Sequence, residues 1–83
     1  MLVLKLVNMS KLPVLSGREV IKALTKVGFE QKRVKGSHVI LVKFESDKKR
    51  AVVVPLHNEI DKGTLIEIIR QAGLKREEFL RLI

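Results

Sequence analysis

The sequence contains no cysteine, tryptophan or tyrosine, and three phenylalanines are its only large aromatic residues. Without cysteine the chain has no thiol nucleophile, no disulfide and no cysteine-based zinc site. Without tryptophan or tyrosine, an aromatic platform on which single-stranded bases stack is not expected. Phe29, Phe44 and Phe79 fall at positions typical of core residues, so we expect all three to be buried.

Long apolar runs are also missing. No segment approaches the roughly 18 apolar residues of a membrane span. The apolar start, residues 1–7, is interrupted by Lys5 and lacks the basic segment and cleavage site of a signal peptide. We therefore expect a cytoplasmic protein that does not associate with membranes. No group of His, Asp and Glu has the spacing of metal ligands, so we expect neither a metal nor another cofactor.

Acidic residues are few. Lys and Arg number 17 against 9 Asp and Glu, which gives a net charge of +8 over 83 residues. Such an excess favours a polyanionic partner. Nucleic acid fits better than a membrane surface, because no long basic amphipathic helix is present. The alternative is a solvated, charge-rich surface of the kind found in thermophiles, although there the two signs tend to balance.

The order of elements predicts an α+β domain. Ser16 and Glu19 form a capping box that begins a helix, and Gly28 ends it. Strands are predicted over residues 29–34, 38–45 and 50–56. A second helix should run from Gly63 or Thr64 to residue 72, and a short third helix over residues 75–83. Helix, three-stranded antiparallel sheet and helix is the order of double-stranded-RNA-binding domains. We expect this domain to span residues 12–83, preceded by an N-terminal arm or extra strand over residues 1–11.

The two central strand segments are aliphatic on both faces, over residues 39–42 and 52–54. A small sheet with helices on one side should have one polar face. We therefore expect the second face to be covered by the N-terminal arm, a second copy of the chain or a partner protein.

Lys35-Gly36-Ser37-His38 is the most informative stretch of the chain, because it places a turn glycine, a hydroxyl and an imidazole beside basic residues. Histidine gains or loses a proton near neutral pH. RNA carries its own nucleophile, the 2′-hydroxyl, so a positioned acid or base and nearby cations are enough for cleavage. The alternative is a structural histidine. Strand alternation favours that alternative, because His38 shares a face with Ile40, Val42 and Phe44, which we expect in the core.

Other residues are candidates for contact with RNA, and each has a plain structural alternative. A cluster of cations over residues 32–35 is either a phosphate clamp or a solvated strand. Gly36 is a turn residue that also permits close approach of a phosphate, and Ser37 either binds phosphate or caps the turn. His57 should lie at the same end of the sheet as His38, as a second proton-transfer group or as a structural loop residue. The candidate contacts are Lys32, Arg33, Lys35, Gly36, Ser37, His57, Lys62, Gly63 and Thr64.

The last three of these residues begin the second helix. The free N–H groups of a helix start attract anions, and Lys62 adds positive charge. The alternative is ordinary helix initiation with Asp61 as the cap.

Six sequence segments together resemble the HicA (YcfA-like) mRNA interferase toxin family. They are residues 15–24 (LSGREVIKAL), 28–30 (GFE), 35–38 (KGSH), 54–57 (VPLH), 62–65 (KGTL) and 69–74 (IRQAGL). The resemblance covers roughly residues 12–80.

This resemblance implies a toxin-type endoribonuclease that arrests translation by cleaving mRNA, and a cognate HicB-like antitoxin that neutralises it. It also implies that His38 is the catalytic residue of a metal-independent acid–base reaction. Many relatives carry a second histidine at the next position, where this chain has Val39. The competing functions are a non-catalytic double-stranded-RNA-binding module and a protein-interaction domain that forms a homodimer.

Overall fold

The computed structural model describes residues 11–83, which form three helices and one three-stranded sheet. One helix precedes three antiparallel strands, which pair in sequence order, and two helices follow. The elements are α1 (Gly17–Thr25), β1 (Glu30–Lys35), β2 (His38–Glu45), β3 (Lys48–Pro55), α2 (Lys62–Gln71) and α3 (Arg76–Leu80). The predicted α+β class and its helix, sheet, helix order are confirmed.

The predicted N-terminal arm, residues 1–11, lies outside the described residues except for its last residue. The division into this arm and a domain over residues 12–83 therefore stays a prediction. Leu12 packs against the hydrophobic core, so the packed part of the chain includes that residue.

Helix α1 begins with the capping box that the sequence predicts. The Ser16 hydroxyl accepts a hydrogen bond from the Glu19 backbone N–H at 3.2 Å, and the Glu19 carboxylate accepts one from the Ser16 N–H at 2.9 Å. Leu15 and Val20 flank this cap and are both buried, as a hydrophobic staple requires. Gly28, with φ of 101°, reverses the chain after the helix.

Both hairpin turns contain two residues. Lys35 pairs with His38 across Gly36-Ser37, and Glu45 pairs with Lys48 across residues 46–47. The longer connections predicted over residues 35–37 and 46–49 are therefore wrong, and β3 begins two residues earlier than predicted. Lys35, Lys48 and Lys49 lie beside the turns, and because they are charged the sequence predicts that they belong to loops. In the structure they belong to strand ends, where exposed charge is tolerated.

The helices cover one face of the sheet. Val39, Leu41, Val52 and Val54 are each no more than 2% exposed and form one cluster with the buried residues of α1 and α2. Successive strand residues alternate between faces, so residues 38, 40, 42 and 44 of β2 point to the opposite face. Within residues 11–83 that second face, called here the open face, leaves Phe44 74% exposed.

Two sequence predictions about this open face are wrong. Phe44 is not a core residue, whereas Phe29 and Phe79 are buried as predicted. The residues that share a face with His38 do not belong to the core cluster, because the helices pack on the odd-numbered positions of β2. Of these residues, Val42 is nevertheless buried as predicted, with 7% exposure. Alternation therefore favours an outward-facing His38 and not a structural one.

Candidate functional site

Three backbone hydrogen bonds bring separate segments to one end of the domain. The Leu56 N–H donates to the Ser37 carbonyl at 2.7 Å, and the Gly17 N–H donates to the His57 carbonyl at 2.9 Å. The Ile60 N–H donates to the Leu15 carbonyl at 2.8 Å. The start of β2, the end of β3 and the starts of α1 and α2 therefore meet at the end opposite the 46–47 turn. We call this end of the domain the basic end.

His38 is the first residue of β2, at the basic end, and its side chain is exposed on the open face. Its neighbours across the sheet are Lys35 on one side and Pro55 on the other. Val39 faces the core and is 2% exposed. A histidine at position 39 would point into the core, so it would not stand beside His38. The substitution of valine for a second histidine therefore leaves the open face around His38 unchanged.

His57 lies two residues beyond Pro55, the pairing partner of His38. The prediction that both histidines lie at the same end of the sheet is confirmed. The His57 carbonyl holds the start of α1, while its side chain is exposed and makes no hydrogen bond within residues 11–83. The backbone of His57 thus has a structural role, and its imidazole is free to contact a ligand.

Cations line the strand next to His38. Lys35 and Arg33 pair with His38 and Ile40, which places them on the open face with the imidazole. Lys32 is the extra residue of a β-bulge between Gln31 and Arg33. In the described part of the chain, none of these three basic side chains has an ion-pair partner, and all are exposed.

The ion pairs found among the described residues lie elsewhere. Lys43 and Arg50 bind Glu45 at 3.3 and 2.8 Å, near the 46–47 turn. Arg70 binds Glu67 on α2. The hydrogen bond from Arg50, and then the one from Lys43, lower the pKa of Glu45, as Arg70 does for Glu67. These carboxylates therefore neutralise cations far from His38, and the positive charge of the basic end is not offset by them.

The start of α2 is already capped by a carboxylate. Asp61 accepts hydrogen bonds from the Thr64 N–H at 3.3 Å and the Thr64 hydroxyl at 2.6 Å. The hydroxyl bond first, and then the backbone bonds of Thr64 and Gly63, lower the pKa of Asp61. The donors predicted to bind an anion here are thus occupied. The exposed Lys62 side chain remains available at this helix start.

The cap gives a pH-dependent prediction. Asp61→Ala should lower the Tm, and Asp61→Asn should lower it less, because the amide oxygen still accepts from Thr64. Folding lowers the pKa of Asp61, so the carboxylate stabilises the fold above its unfolded-state pKa of about 3.9. That contribution is lost as the pH falls through the lower folded-state value. Thermal unfolding of wild type and Asp61→Ala should show a Tm gap that narrows in acid; a gap that is constant with pH contradicts the assignment.

The sequence does not predict a role for Gln31, whereas Arg18 recurs at a four-residue spacing with Lys22 and Lys26 on the outer face of α1, which suggests contact with phosphate or an antitoxin. Arg18 and Gln31 line a groove between α1 and β1, together with Ile21, Val34, Val39 and Leu56. Strict alternation would place Gln31 on the face of Arg33, but the bulge changes the register, so Gln31 and Val34 both face the helices. A bulge leaves no clear signal in the residue pattern of a short, charged strand.

No group of three His, Asp or Glu side chains that could hold a metal ion is found in residues 11–83. None of the helices in that range is long and apolar enough to cross a membrane.

The comparison with protein families identifies the chain. The family model described as the HicA toxin of bacterial toxin–antitoxin pairs matches residues 17–74, which is more than half of the chain. The matched region runs from the start of α1 to just beyond α2, and so contains the whole sheet and His38. A search of curated proteins finds no match. The chain belongs to the HicA toxin family, the toxin component of a bacterial toxin–antitoxin pair.

Proposed function

We propose that this toxin is an endoribonuclease that cleaves mRNA by metal-independent acid–base chemistry, with His38 as the proton-transfer residue. The observation that carries the proposal is the position of His38. It is exposed on the open face, at the end of the domain where cations have no carboxylate partners within residues 11–83. An mRNA substrate places this activity in the cytoplasm.

The reaction needs no nucleophile from the protein. The 2′-oxygen of a ribose attacks the adjacent phosphorus, the bond from phosphorus to the 5′-oxygen breaks, and a 2′,3′-cyclic phosphate forms. One proton leaves the 2′-hydroxyl and one is delivered to the departing 5′-oxygen. His38 supplies one of these transfers, a contribution worth about 10²–10⁴-fold in rate.

The cations at the basic end hold the backbone and stabilise charge on the phosphorane. Lys35 and Arg33 share the face of His38, and Lys32 lies one residue further along β1. Gly36 lets a phosphate pass close to the turn, since nothing lies within 4 Å of where a Cβ would be. The proposed RNA contacts are Lys32, Arg33, Lys35, Gly36, Ser37, His57 and Lys62, while Gly63 and Thr64 position Lys62 through the Asp61 cap.

Family membership implies a cognate antitoxin. We propose that a HicB-like antitoxin neutralises the toxin by covering His38 and its neighbouring cations. We expect the antitoxin to present an acidic surface, because such a surface complements a chain of net charge +8.

A second candidate function is protein interaction through the open face. Phe44 is 74% and Val53 43% exposed there, and exposed apolar residues on a sheet face are typical of binding surfaces. This surface would bind either a second copy of the chain, which gives a homodimer, or the antitoxin.

Incubation of the purified chain with mRNA in excess EDTA tests the proposed function. We expect cleavage at the same rate as with Mg²⁺, with 2′,3′-cyclic phosphate and 5′-hydroxyl ends, because the 2′-hydroxyl is the nucleophile. Loss of cleavage in EDTA, or 5′-phosphate ends, contradicts the mechanism. RNA binding without cleavage would favour the non-catalytic module, and a stable homodimer with no RNA affinity would favour the interaction domain.

A further inference from the structure

A groove between α1 and β1 combines an aliphatic floor with two polar side chains. Its floor is aliphatic, and its volume is about 320 Å³. The floor consists of Ile21, Val34, Val39 and Leu56, with Arg18 and Gln31 as the only polar lining residues in the described part of the chain. Val34 is 50% exposed, so the groove opens at the free edge of β1.

The two polar side chains of the groove end in planar groups. Neither the Arg18 guanidinium nor the Gln31 amide makes a hydrogen bond or ion pair within residues 11–83. A guanidinium plane stacks on a nucleobase, and an amide offers both a donor and an acceptor to a base edge. Among the described residues no carboxylate lines this groove, unlike the groove on the other side of α1, which contains Glu19.

The groove adjoins the proposed site of cleavage. Leu56, in its floor, donates its N–H to the carbonyl of Ser37, the residue before His38. Val39, also in the floor, is the residue after His38. The groove lies on the helix side of the sheet and His38 on the open face, so a strand in contact with both must pass over the Gly36-Ser37 turn. The open space beside Gly36 leaves room for that path.

We propose that this groove binds one unstacked nucleobase of the RNA, next to the cleaved linkage, and that Gln31 and Arg18 select the base. The proposal rests on the proposed ribonuclease activity and adds a base-specific subsite to it. Bases in single-stranded RNA are read by just such edge hydrogen bonds and stacking on arginine. The chain thereby obtains base recognition without tyrosine or tryptophan and with Phe29 and Phe79 buried in the core.

The test compares cleavage of short single-stranded RNAs that differ only in the nucleotide on either side of one linkage. The wild-type chain should prefer one base at one flanking position. Gln31→Ala should lower the rate ratio between preferred and disfavoured bases about tenfold, the effect of one lost hydrogen bond. Arg18→Lys keeps the positive charge but removes the planar guanidinium, so it should slow cleavage only of the RNA that carries the preferred base. Lys22→Ala removes a charge from the same helix outside the groove and should leave the ratio unchanged.

The outcomes separate this proposal from the proposed function. If the wild-type chain cleaves none of the RNAs, the ribonuclease assignment itself fails. If it cleaves them and Gln31→Ala and Arg18→Lys keep the wild-type base preference, the nucleobase subsite is wrong. If those variants keep the preference but resist neutralisation by the co-expressed antitoxin, the groove is a protein-binding site and the proposal is overturned.

Discussion

Replacement of His38 by alanine is expected to slow RNA cleavage about 10²–10⁴-fold, the contribution of one positioned acid or base. RNA affinity should change little, because Lys35, Arg33 and the other cations of the basic end remain. The fold should also survive, since the His38 side chain is exposed and makes no hydrogen bond within residues 11–83. The measurement is a single-turnover cleavage rate beside a far-UV circular dichroism spectrum and a Tm.

Lys49→Ala is the matched control for this variant. Lys49 is exposed on the open face but pairs with Phe44 near the 46–47 turn, at the end away from His38. The substitution removes one positive charge from the chain. It should reduce the cleavage rate less than about threefold, because salt screens a charge this far from the cleaved linkage. Equal losses in the two variants would mean that His38 acts only through general attraction of RNA.

Replacement of Gly17 by alanine should strongly destabilise the fold. A Cβ at this position would overlap with the carbonyl oxygen of Pro55 and lie 3.1 Å from the Leu56 Cα. Both obstacles are backbone, so neither can rotate away. We expect a loss of about 3 kcal/mol, the upper end for inserting an atom into a packed site. In a domain of this size that corresponds to a Tm lower by roughly 15 °C.

Gly63→Ala provides the comparison for the same chemical change. Gly63 lies in the first turn of α2, where the nearest atom to an added methyl group is an Asp61 oxygen at 3.4 Å. Alanine there should stabilise the chain by about 0.5 kcal/mol, because it restricts the unfolded state. Thermal denaturation of both variants decides the matter. A Gly17→Ala chain as stable as Gly63→Ala would show that α1 and the end of β3 are not in contact as described.

The close approach of Gly17 to β3 also bears on the proposed site. The Gly17 N–H donates a hydrogen bond to the His57 carbonyl at 2.9 Å, and the Leu56 N–H donates one to the Ser37 carbonyl. Together these bonds fix the end of β3 against the start of β2, where His38 begins. Gly17, which is not among the proposed RNA contacts, thus helps to hold His57 at the end of the sheet where His38 lies.

Much of the fold could be predicted from the sequence because its signals are local. Ser16 with Glu19, Gly28 after the first helix, and the glycine of the first turn each act within a few residues. Antiparallel pairing then places His38 and His57 at the same end, which a count of residues from the 46–47 turn is enough to show.

The faces of the sheet could not be predicted in the same way. Residues of β2 are aliphatic at both odd and even positions, so hydrophobicity alone does not tell which face the helices cover. The residue type of Phe44 predicts a core position, and Phe44 is 74% exposed. The bulge at Lys32 and the occupation of the α2 start by Asp61 depend on contacts between elements or on cap geometry. For that reason the sequence does not reveal Gln31, and it leaves open whether the start of α2 binds an anion or is only capped by Asp61.

The central claim is that the His38 imidazole itself transfers a proton during cleavage. Adding free imidazole to purified His38→Gly chain, which has an empty space in place of the ring, tests this claim most directly. We predict that imidazole restores part of the cleavage rate in proportion to its concentration, and that the rescued rate follows the protonation of the added base. A His38→Gly chain that cleaves RNA as fast as wild type without imidazole would contradict the account.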